Sequence, residues 1–96
     1  MLFIHSDAGS KPIDKLLAEL GCVKEYAYVY HEPWAMKPHF HVYLELADPR
    51  STKQIKDIFN PLLAHPNVDK RHSVEYLLKD SAPKDVVASF NVGEYL

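Results

Sequence analysis

His39 and His41 stand two residues apart in the stretch Lys37-Pro-His-Phe-His-Val42. On a strand, that spacing sends both imidazoles out of the same face about 6–7 Å apart, close enough to share one divalent cation. Six histidines in 96 residues make a lone His-x-His pair a weak signal, so its surroundings decide. The alternate positions Phe40, Val42, Leu44 and Leu46 are all apolar; the opposite face therefore supplies the core, and packing makes no demand on the histidines. The preceding strand ends in His31-Glu32, and an antiparallel hairpin returns that end to the start of the histidine strand. Alternation turns only one of this pair toward the histidines, but strand ends twist and bulge, so both stay open as third ligand, with Glu32 preferred. A carboxylate there suits Mg²⁺ or Mn²⁺, whereas a third imidazole shifts the preference toward Zn²⁺ or Mn²⁺. Three protein ligands leave coordination positions for a substrate oxygen. The expected cofactor is Mn²⁺ or Mg²⁺.

A second group of interest lies near the C-terminus. Ser73 is a suitable cap for a short helix running to about Asp80, ahead of Pro83. At 100° per residue Val74, Leu77 and Leu78 form its apolar face, and Tyr76 and Lys79 lie together on the opposite side. Tyr76 is thus displayed rather than packed. Lys70 and Arg71 are adjacent, with Lys79 and Lys84 following, so any nucleic-acid contact should centre there.

These groups must be held by a small set of elements. Residues 2–5 form a short strand, and a helix follows with Ser10 as cap and Ile13, Leu16, Leu17 and Leu20 as its buried stripe, stopped at Gly21. Strands are expected over Glu25–Glu32 and His39–Leu46. A second helix carries Ile55, Ile58, Phe59 and Leu62, with Pro61 ending or kinking it. Residues 64–71 form a loop or a short strand around Val68, and residues 86–92 are a weaker candidate for a last strand. The order predicts an α+β fold: an antiparallel sheet with helices packed on one face, the other face left for something else.

Composition bounds what such a fold can be. Ninety-six residues, 47% apolar and 25% charged, make one globular domain spanning 1–96. A net charge of −2 argues against nonspecific coating of nucleic acid, though not against a local site. The single Cys22 rules out an internal disulfide and points to a reducing compartment. No run approaches the ~18 apolar residues of a membrane span, and the first residues lack a signal peptide's basic and apolar segments, so a cytoplasmic protein without a membrane partner is expected.

Together, His39-Phe40-His41 and, about one helix later, Tyr76-Leu-Leu-Lys79 resemble the histidine and tyrosine motifs of the single-tyrosine HUH endonucleases. Within that superfamily the chain is most similar to the nicking domain of the rolling-circle replication initiators (Rep proteins) of plasmids and small single-stranded DNA viruses, with Phe3 to Ser6 as a poor version of their N-terminal motif. The resemblance implies a ferredoxin-like or RRM-like sheet. It also implies a reaction: Tyr76 attacks a phosphodiester of single-stranded origin or hairpin DNA, leaving a covalent 5′-phosphotyrosine and a free 3′-hydroxyl, and reversal rejoins the strands. An ordinary phenol titrates near ~10, so such a nucleophile needs positive charge nearby, and Lys79 on the same helix face is placed to give it. The implied partners are single-stranded DNA and the host polymerase and helicase, in the host cytoplasm or, for a eukaryotic host, the nucleus. The chain has no phosphate-binding loop of the kind a helicase half would carry. Two alternatives remain. One is a related HUH transposase or relaxase. The other is a non-catalytic single-stranded DNA-binding module on the same fold, with Trp34 and Tyr28 offering rings to stack on bases and Lys37, Lys70, Arg71 and Lys84 meeting phosphates.

Overall fold

The computed structural model describes residues 1–6, 13–21, 23–31, 38–47, 55, 57, 59, 63–65, 68–79 and 81–95. Five strands, β1 (Leu2–Ser6), β2 (Val23–His31), β3 (His39–Leu46), β4 (Leu63–His65) and β5 (Val87–Ala88), form one antiparallel sheet in the order β4-β1-β3-β2-β5. Two helices are delimited, α1 (Ile13–Leu20) and α2 (Lys70–Lys79), and Ile55, Asp57 and Phe59 are also helical. The α+β class and the antiparallel sheet agree with the sequence pattern. Cys22 lies outside the described residues.

Period-two patterning sorts the strands into two faces. On the first, Phe3, Val42 and Leu44 pack with Ile13, Leu16 and Leu20 of α1 and with Ile55 and Phe59. The spacing that predicts a buried stripe on α1 is the one found, and Gly21 closes that helix at φ 69°, a conformation that suits glycine. On the second face, Leu2, Ala27, Val29 and Tyr43 pack with Val74 and Leu77 of α2 and with Val92. The expectation that helices cover one face only is therefore corrected. Ala27, Val29 and Tyr43 alternate with the first core's residues and are themselves apolar, so the second face needs a cover of its own, which α2 provides.

Three local expectations also change. Ser73 is fully buried within α2 and does not cap it; the cap is Asp69, whose Oδ1 accepts from the His72 backbone N–H at 2.8 Å. The short strand in the 64–71 region is β4, which pairs with β1 and ends before Val68. The last strand shrinks to Val87–Ala88, and Val92–Tyr95 forms a 3-10 turn. No helix among the described residues is long and apolar enough to cross a membrane.

Candidate metal centre

The histidines belong to the middle of the sheet. β3 is flanked by β1 and β2 along its length, with His39 opposite Ser6 and His31, and His41 opposite Ile4 and Val29. Pairing on both sides fixes both the height and the facing of the two imidazoles. Because His31 is the cross-strand neighbour of His39, its ring arrives on the same face. His39 Nε2 lies 3.2 Å from His41 Nε2, and His41 Nε2 lies 3.3 Å from His31 Nδ1. All three donor nitrogens fall within 4.8 Å of one another.

That arrangement fits a cation. Metal–nitrogen bonds of about 2.0–2.1 Å in a tetrahedral site set the donors roughly 3.3–3.4 Å apart. Neutral imidazole nitrogens this close must also share a proton or a cation, since lone pairs aimed at one another repel. His39 is buried, while His31 and His41 are half-buried, so the group opens to solvent on one side. Three nearby histidines could thus hold a metal ion. The third donor present is His31; Glu32 lies outside the described residues.

Tyr76 stands beside this group. Its ring centroid is 5.1 Å from that of His41, the planes at 74°, and the side chain remains 46% exposed. The cause is local: Val74 and Leu77 anchor α2 on the sheet, and Tyr76 lies on the flank of that anchored face, over the histidine end. Lys79 is exposed in the last turn of α2, one turn beyond Tyr76.

Tyr28, Lys70 and Arg71 are not brought to this end. Tyr28 is corrected: it faces the first core, packed edge-on to Phe40 and beside Tyr26, because its register places it opposite the histidine side, and burial raises its phenol above the ordinary value. Lys70 is bound to Glu25 and sits 4.2 Å above the Phe90 ring. Glu25 is six residues from His31 on the same strand, about 20 Å away. The hydrogen bond to Glu25 also raises the Lys70 ammonium above its ordinary value. Arg71 lies over Tyr95 and beside Glu75, and Lys84 is exposed in the turn Pro83–Asp85. Trp34 and Lys37 lie outside the described residues.

Two further groups were not singled out by sequence reasoning. His65 and His72 line a cavity shared with His41 and Tyr76, and His72 Nδ1 is 2.8 Å from Asp69 Oδ1. The Asp69-x-x-His72 spacing, with His72 four residues before Tyr76, was the available signal. Comparisons with protein-family models, with curated proteins and with solved structures give no match.

Proposed function

We propose that this domain is a divalent-metal-dependent nickase and joiner of single-stranded DNA, of the HUH endonuclease kind, acting at a replication origin to start rolling-circle replication. The observation that carries the proposal is the approach of Tyr76 to His41, a phenol within one ring's reach of three converging nitrogens. A strand threaded across the open side would have its phosphate between them.

His31, His39 and His41 would hold the cation, for which Mn²⁺ suits an all-imidazole set better than Mg²⁺. When bound, it supplies Lewis-acid polarisation of the phosphoryl group. The Tyr76 oxygen attacks phosphorus and loses its proton; the bond to the 3′ oxygen breaks, that oxygen takes up a proton, and the 5′-phosphate stays esterified to Tyr76. The protein contributes position above all: an anchored helix fixes the phenol and a doubly paired strand fixes the imidazoles, so little motion is left to lose at the moment of reaction. Lys79, one turn beyond, lends positive charge as the phenolate develops.

A non-catalytic DNA-binding module is the second reading, favoured by the exposed aromatic surface of Tyr76. Incubation with a labelled pool of random-sequence single strands and Mn²⁺ separates the two. The nickase leaves a protein–DNA adduct that survives denaturation and is lost in Tyr76→Phe and His41→Ala; a binding module leaves none.

A further inference from the structure

A cavity of about 270 Å³ opens on the histidine side of the sheet, with His41 and Tyr76 among its lining residues, so it begins where the metal centre ends. Ile4 and Val68 contribute apolar lining, and His65 and His72 complete the polar part. Its size falls just below the roughly 300–1,000 Å³ that takes a drug-sized ligand, which suits a single ring system. Imidazoles and a phenol around an apolar recess suit a flat, heteroaromatic one.

His72 has no part in the chemistry described so far, yet it is held in place. Its Nδ1 is 2.8 Å from Asp69 Oδ1, so Nδ1 carries the proton and donates to the carboxylate. In the neutral ring Nε2 is then left as an acceptor. His72 and Tyr76 are four residues apart on α2, hence side by side on one helix face, and both line the cavity.

We propose that this cavity takes one unpaired nucleobase, the neighbour of the phosphodiester presented to Tyr76; the proposal rests on the nickase reading. The ring of Tyr76 gives the base a surface to stack on, and His72 Nε2, edge-on to it, accepts a hydrogen bond from an exocyclic amino group. Cytosine, adenine and guanine carry that group and thymine does not, so the cavity favours them over thymine. Seating the base also sets the distance of its phosphate from Tyr76, because base and phosphate belong to one nucleotide.

The test uses the full chain with Mn²⁺ and two fluorescent probes, a short oligodeoxycytidylate and an oligodeoxythymidylate. Wild type should bind the cytidylate more tightly. Val68→Trp, which fills the recess, should weaken that binding about tenfold, the scale of one lost base–aromatic stack, with Mn²⁺ affinity unchanged. His72→Leu should bring the two oligonucleotides to near-equal affinity and bind Mn²⁺ as wild type does. In wild type itself, with diamagnetic Zn²⁺ in place of Mn²⁺ so that rings lining the cavity beside the metal stay visible, the cytidylate should shift the His65 and His72 ring resonances, a readout that does not depend on how the variants fold. Cytidylate binding with those resonances unmoved and Val68→Trp unimpaired overturns the base cavity and leaves the nickase proposal standing. Failure of wild type to bind either probe in Mn²⁺ overturns the base cavity, and failure to leave an adduct with the random-sequence pool overturns the nickase reading as well.

Discussion

On one side of the sheet His5 is 3% exposed, its Nδ1–H donating to the Phe59 carbonyl oxygen at 2.9 Å, with Phe40 and Phe59 around the ring. On the other side His31, His39 and His41 bring donor nitrogens within 4.8 Å of one another, with His39 buried and His31 and His41 half-buried. His5 and His39 sit on adjacent strands of the same sheet, one register position apart. What separates a packing histidine from a candidate ligand is which way the strand turns it, and that parity is decided by the apolar neighbours. The first face is sealed where Phe3, Val42 and Leu44 meet α1, Ile55 and Phe59. The second is sealed only where Ala27, Val29 and Tyr43 meet α2, and it becomes polar at the histidine end.

The contrast can be pressed by substitution. Tyr76→Phe should cut adduct formation by about a thousandfold or more, the scale of losing a nucleophile, while leaving the melting temperature within a degree or two of wild type, since only a half-exposed hydroxyl is removed. Phe3→Ala, on the sealed face, should do the reverse, costing about 3–5 kcal/mol in denaturant unfolding without altering the donor set for Mn²⁺. The histidines sharpen the comparison further. His5→Ala should destabilise by about 1–3 kcal/mol with Mn²⁺ affinity retained, and His41→Ala should abolish Mn²⁺ binding measured by calorimetry with a smaller change in metal-free stability.

Smaller effects follow from two titrations on the second face. Burial pushes the Tyr43 phenol up to about 12. A folded-state value raised above the unfolded one stabilises below the ordinary phenol range, so stability should fall as pH rises from about 10 through 12, and Tyr43→Phe should flatten that limb. The His72 backbone N–H holds the Asp69 carboxyl below its ordinary range. That contribution is present above the unfolded value and lost as pH falls through the folded one, so acid unfolding followed by circular dichroism should begin at higher pH in Asp69→Ala.

Much of this was legible in the sequence. The alternation of Phe40, Val42 and Leu44 against His39 and His41 specified both faces of β3, and the 3.6-residue spacing of α1 specified its buried stripe. Tyr76 missing the Val74–Leu77 stripe told correctly that it is displayed. The position of α2 was not legible, because amphipathicity says which side of a helix is buried and not which sheet face buries it. Lys70 read as a phosphate contact for a similar reason: its partner Glu25 is 45 residues away in the chain. The choice between His31 and Glu32 depended on a register that the hairpin connection does not announce. His5 shows the opposite limit, a histidine whose role is set by Phe59, far along the chain.

Binding of one cation beside Tyr76 by the imidazoles of His31, His39 and His41 is the property on which the proposed chemistry depends. Pulsed EPR of Mn²⁺ added to the protein counts the ligands directly through nitrogen couplings. Three coupled histidine nitrogens in wild type, falling to two in His31→Ala, is the result expected. Mn²⁺ bound without nitrogen couplings, or with couplings indifferent to replacement of His31, His39 or His41, would contradict it.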